Sequence, residues 1–186
     1  MKQIESKVIG KINQNAEFDD WWESEPIQIP FFENKQLKIM FMDFISEDDD
    51  KEFVIEADNA LEIFLSKKQE EKLELSEIVY NYCMEFLSAV EYDEKSKSLR
   101  EIKNKNEIWK YVYPEEIHIT RRHRRDEDIY LVITCECEWE QEHGLQLVFR
   151  KGKQLIRISD QDGHITEADA FDKLDEEDEL LSKFKE

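Results

Sequence analysis

The sequence predicts an α+β domain: antiparallel sheet with a central pair of helices packed on one face, in the order β-α-β. Two observations carry this. Apolar residues alternate with polar ones at both ends of the chain, and in between they recur every three or four residues. Segregation of strands and helices along the chain favours antiparallel sheet over a doubly wound parallel one.

The first third reads as short strands around Val8 and Ile12, then Phe18 to Trp22 and Ile27 to Phe32. Pro26 and Pro30 confine these to sheet edges or strand ends, because proline cannot donate to a ladder. Leu37 to Phe44 is apolar enough for a strand buried on both faces, and Asp48 to Asp50 marks a solvated turn before a short Phe53–Ile55 segment. The period then turns helical. Ala57, Ala60, Leu61, Phe64 and Leu65 form one stripe, with Asp58 as a candidate cap. A longer stripe runs Leu75, Ile78, Val79, Tyr82, Cys83, Phe86, Leu87 and Val90, preceded by Glu70, Glu71 and Glu74, which suit a helix amino terminus.

Residues 94–106 read as a polar loop or frayed helix. Strands return at Ile117–Thr120, Ile129–Trp139, Leu145–Arg150 and Leu155–Ser159, with Lys151-Gly152-Lys153 as a hairpin turn. In Leu131, Ile133, Cys135, Cys137 and Trp139 every second residue is apolar, which makes both cysteines core residues of one strand face. Residues 1–170 form one domain on this reading, and 171–186 an acidic helix or tail.

Composition narrows function. The net charge is −20, with charged residues at 39%, so affinity for phosphate backbones is excluded as a general property. The same charge suits a basic protein partner. The amino-terminal segment lacks the apolar core of a signal peptide, and no run of about eighteen apolar residues exists, so no membrane is expected. With 3 cysteines, an odd number, reduced thiols and a cytoplasmic location are the simplest reading. Only 4 glycines are present and no phosphate-cradling loop or G-x-S-x-G, so neither a cofactor nor a catalytic residue is assigned.

The stretch from Cys135 to Phe149 and the following Asp160-Gln-Asp-Gly-His164 are the densest in site-forming chemistry. If the last strands form a meander, the loop before Leu145 and the turn after Ser159 meet at one end of the sheet. That would gather Glu140, Glu142 and His143 with Asp160, Asp162 and His164, beside Trp139. Imidazoles among carboxylates would hold a divalent cation or move protons, although the spacing matches no defined metal motif. The other uses are turn solvation and protein binding. Arg121-Arg-His-Arg-Arg125 is the one basic run; it could grip a carboxylate-rich or phosphate-bearing partner, but the favoured expectation is a solvated loop whose charges are answered by Asp126, Glu127, Asp128 and the acidic tail.

The residues Trp139-Glu140-x-Glu142-His143-Gly144-Leu145, followed by Phe149 and Gly152, resemble a small bacterial family classed as a domain of unknown function. The resemblance is best over roughly 114–170. It implies an acidic cytosolic α+β protein and carries no catalytic role. Related small acidic families look like immunity proteins that neutralise toxins, which is an association by family and not by site. The expectation is therefore a non-enzymatic binding module for a basic protein, with Trp139, Glu140, Glu142, His143, Asp162 and His164 as partner-binding candidates. The alternative is a metal-dependent hydrolase or sensor using His143 and His164.

Overall fold

The computed structural model describes residues 2–42, 44 and 50–185. Five strands come first: β1 (Gln3–Ser6), β2 (Gly10–Gln14), β3 (Trp22–Ser24), β4 (Ile27–Ile29) and β5 (Lys35–Phe41). Helices α1 (Asp50–Ser66), α2 (Gln69–Glu74), α3 (Ser76–Ala89) and α4 (Lys97–Arg100) follow. The chain then returns to β6 (Val112–Arg121), β7 (Ile129–Cys137), β8 (Leu145–Arg150) and β9 (Gln154–Ser159), and ends in α5 (Glu167–Ala170) and short 3₁₀ turns.

All strands join one mixed sheet in the order β1-β2-β3-β5-β6-β7-β8-β9, with β4 also paired to β5. β3 and β4 lie end to end along one side of β5, which places Pro26 at the break between them and Pro30 just past the second. Every pairing is antiparallel except β5 with β6, where Lys38 to Phe41 run parallel to Glu116 to Ile119. The expectation of a purely antiparallel sheet is corrected at this point. The chain leaves β5 and returns only after the whole helical section, and a parallel neighbour needs just such a long crossover.

Phe53–Ile55 is helix rather than a short extended segment, because Phe53 starts the stripe that Ala57, Ala60, Leu61 and Phe64 continue. Its ring lies 5.4 Å from Phe41 and 5.0 Å from Phe44. Asp58 is two turns inside α1 and caps nothing there. It is buried and accepts from the Ser6 hydroxyl and, at 2.9 Å, the Lys7 amide, tying the β1–β2 turn to the helix. Of the expected Asp48–Asp50 turn, Asp48 and Asp49 lie outside the described residues, and Asp50 begins α1.

The two faces of the sheet are covered differently. The inner face carries Ile39, Phe41, Ile117, Ile119, Leu131, Ile133, Leu147 and Phe149, joined by Leu61 and Phe64 of α1 and Val79 and Cys83 of α3. Phe64 meets Phe149 edge-on at 5.1 Å. Tyr130, Val148 and Ile156 point to the outer face, where Leu181 covers them. The residues after 170 are thus docked through a small core of their own. No helix among the described residues is long and apolar enough to cross a membrane.

Candidate functional site

Strands β7, β8 and β9 form the expected meander, so the 138–144 connection and the 160–164 turn share one end of the sheet. They touch through the backbone: the Gln161 amide donates to the His143 carbonyl at 3.3 Å, and its side-chain nitrogen donates to the Cys135 carbonyl at 3.2 Å. Gly144 makes that approach possible, since a Cβ there would sit 2.6 Å from the Gln161 side chain.

The candidate side chains go to separate tasks. Trp139 is buried in the inner core at 6% exposure and presents nothing to a partner. Glu140 folds back so that one carboxylate oxygen accepts from the Glu142 amide at 2.9 Å and the His143 amide at 3.2 Å. The His143 ring lies 3.6 Å from that same oxygen and is half exposed, while Glu142 is exposed. Asp162 receives two bonds from Arg157, at 2.7 and 2.6 Å, and a third from the His164 amide at 3.0 Å. Burial pushes the Asp162 carboxyl up, but the Arg157 guanidinium and the His164 amide outweigh it and hold it below its ordinary value. Among the described residues no three His, Cys, Asp or Glu side chains are arranged to hold a metal ion.

Arg157 and Gln146 were not singled out by the sequence, and they organise this corner. Arg157 is 5% exposed and donates to the His164 carbonyl as well as to Asp162. Gln146 donates to the Ser159 hydroxyl at 2.9 Å and to the His164 carbonyl at 2.9 Å. Their one sequence signal is a polar side chain interrupting an otherwise apolar strand. The irregularity between Val148 and Phe149 lets both Ile156 and Arg157 face outward.

Beside this corner, on the outer face, lies an open cleft of about 330 Å³. Met42, Val132 and Ile165 supply its apolar surface. Thr120, Thr134, Gln146, Gln161, His118 and His164 supply the polar surface. It exists because the carboxy-terminal segment covers the outer face over Tyr130, Val148 and Ile156 and leaves the β5–β6 side open. His118, which with Thr120 comes from β6, lies 3.2 Å from the Glu116 carboxylate.

The basic run closes the opposite side of the outer face. Arg122 is 2% exposed and reaches Asp126 at 3.0 Å, Asp169 at 2.8 Å and Asp175 at 2.7 Å. Arg125 adds Asp175 at 3.5 Å, and Arg150 pairs Asp128 at 2.5 Å. The expected neutralisation by neighbouring acids and the tail is what joins the tail to the sheet.

The cysteines are core thiols. Burial raises Cys83 and Cys137 to about 12, and raises Cys135 further, so all three stay protonated and unreactive at neutral pH. Trp139 is less well served: its indole N–H is buried and meets no acceptor among the described residues. An orphaned buried donor costs about 1–3 kcal/mol. Trp139→Phe is therefore expected to change unfolding free energy by less than about 1 kcal/mol, the lost contact area being offset by removal of the orphan. Urea denaturation measures this, and a loss above about 3 kcal/mol would mean that the N–H has a partner.

Comparison with curated proteins and with solved structures finds no match. A family model does match, over residues 8–165, which takes in strands β2 to β9, the helical crossover and both loops of the cluster. The chain belongs to the family described as Domain of unknown function (DUF6985).

Proposed function

We propose that this protein is a non-enzymatic binding module for a basic protein, in the manner of an immunity protein that occupies a cationic toxin. The observation that carries the reading is the charge of −20 together with where exposed carboxylates gather. Glu136 and Glu138 at the end of β7 and Glu142 in the next loop are all exposed, and Glu115 is exposed on the neighbouring strand. Tyr113, opposite Glu136, is 43% exposed and donates its hydroxyl to Glu138 at 2.5 Å. A rigid tyrosine among carboxylates is the kind of anchor that binding surfaces use, and the charge around it steers a basic partner. Of the loop residues, Glu142, His143, Asp162 and His164 are exposed enough to take part, Asp162 also bracing its loop through Arg157, while Glu140 braces the other loop and Trp139 supports them from the core. Three free cysteines suit a reducing, cytoplasmic compartment.

The test is co-expression with the products of neighbouring toxin-like genes, followed by binding measurements on any pair that confers protection. Association is expected to slow by about tenfold or more between low and physiological salt. Glu136→Lys/Glu138→Lys/Glu142→Lys is expected to abolish protection while leaving the protein folded. Absence of both protection and complex, or a triple variant that still protects fully, would defeat the reading.

A further inference from the structure

The outer-face cleft has a chemical character unlike the rest of the surface. Charged residues make up 39% of the chain, yet among the described residues none of the side chains lining the cleft is Asp, Glu, Lys or Arg. Two of the 4 histidines line it instead. Among the described residues, the charged groups bonded to its lining side chains or carbonyls, namely Arg157, Asp162 and Glu116, are already engaged. Arg157 is held by Asp162 and the His164 carbonyl, and Glu116 faces His118. A phosphate or carboxylate ligand would find no guanidinium or ammonium among the described lining residues and would enter against the field of a protein of charge −20. A cation would find no free carboxylate among the lining residues.

What the cleft does offer is a soft apolar surface edged with hydrogen-bonding groups. Met42, Val132 and Ile165 suit a ring, and thioethers make favourable contacts with aromatic edges. Thr134, Gln146 and Gln161 stand beside them as neutral hydrogen-bonding side chains. Gln146 is itself only 4% exposed and fixed by bonds to Ser159 and His164, so its position is set before anything binds. A volume of about 330 Å³ is at the small end for ligand pockets, enough for one ring system and too small for a nucleotide.

We propose that this cleft binds an uncharged aromatic ring bearing a hydrogen-bonding group, of the phenol or indole type. Such a ring reaches it either as a free small molecule or as a tyrosine or tryptophan side chain of a protein. The proposal does not depend on the acidic surface, so failure of the charge-reversal experiment leaves it standing.

The test is an NMR titration of the full isotope-labelled chain with p-cresol, toluene, benzoate and benzylammonium. With p-cresol, the Met42, Val132 and Ile165 methyl signals and the His118 and His164 ring signals are expected to shift and saturate, with a dissociation constant on the order of 1 mM. Toluene, benzoate and benzylammonium are each expected to bind about tenfold more weakly. No saturable shift at those signals, or benzoate binding as tightly as p-cresol, overturns the proposal. Val132→Trp, which fills the floor, is expected to abolish the shifts, and the wild-type titration stands alone if that variant does not fold. A capped Gly-Tyr-Gly peptide separates the sources. Binding at least as tight as p-cresol assigns the ring to a protein partner, and failure of the peptide where p-cresol binds assigns it to a free molecule.

Discussion

Arg122→Met is expected to cost about 3–5 kcal/mol of unfolding free energy, the loss typical of breaking a buried charge cluster from one side. Arg122 is 2% exposed and reaches all three of Asp126, Asp169 and Asp175 within 3.0 Å. Methionine keeps most of the side-chain volume, so the loss reports charge and not a cavity. Three carboxylates would be left with only the longer contacts of Arg125 to Asp169 and Asp175, at 3.7 and 3.5 Å, and of Arg150 to Asp126 at 3.5 Å, with Tyr130 still donating to Asp126 at 2.6 Å. Because Asp169 and Asp175 belong to the carboxy-terminal segment, the variant should also free that segment from the outer face. Hydrogen exchange at the Ala168 and Leu181 amides, both now held by the buried Asp178, should rise more than exchange in the central strands. Adding Asp169→Asn and Asp175→Asn to Arg122→Met should recover part of the stability by removing the repulsion. A loss below about 1 kcal/mol in Arg122→Met would show that the segment is held by Leu181 and its apolar neighbours alone.

The same cluster sets an acid limit. Burial works against ionisation of Asp169, but Arg122 and Thr166 outweigh it; at Asp175 the Arg122 hydrogen bonds come first and burial opposes them. Both carboxyls therefore lie below their ordinary value of 3.8 in the folded protein. A depressed folded value means stability that is fully present above the unfolded pKa and is lost as pH falls through the folded one. Wild-type stability should accordingly hold at neutral pH and decline below about pH 4. In Arg122→Met that decline should be shallower, with the contribution of Asp162, which is paired to Arg157, still present.

The elements most easily read from sequence were those whose period is pure. The Leu145–Arg150 strand has the expected bounds, and the alternation from Leu131 to Cys137 correctly assigns both cysteines to the core. Phe53–Ile55 misleads because three β-favouring residues outvote a helical period that becomes visible only when Phe53 is read together with Ala57, Ala60 and Phe64. The parallel β5–β6 pair is not written locally at all; it follows from where the helical crossover returns. The site shows the same division. That the 138–144 and 160–164 loops meet follows from counting strands. Which side chains face outward does not, because a ladder irregularity between Val148 and Phe149 turns Arg157 to the outer face, and because Met42, just past β5, and His118 of β6 enter the cleft from segments distant in sequence.

Gly152→Ala is the other substitution expected to be severe, costing about 2–5 kcal/mol, and its sequence context shows only part of the reason. A hairpin glycine predicts a positive φ, and Gly152 has φ of +68°. Alanine in that conformation costs about 1–2 kcal/mol. Gly163, with φ of +80°, is the matched comparison: a Cβ there meets nothing within 4 Å, so Gly163→Ala should pay that strain and little else. At Gly152 a Cβ would lie 2.0 Å from the Ala60 carbonyl oxygen and 3.2 Å from the Phe64 amide nitrogen. Those atoms are helix backbone and cannot swing aside. Either α1 or the β8–β9 turn must shift, and the Phe64–Phe149 contact beneath them must loosen, which adds overpacking of about 1–3 kcal/mol. Urea denaturation of the two variants side by side isolates this term as their difference. Equal losses in Gly152→Ala and Gly163→Ala would mean that the hairpin does not rest against α1. A gap of about 2 kcal/mol or more would show that the end of the sheet opposite the cleft is locked to the helical layer by the absence of one methyl group.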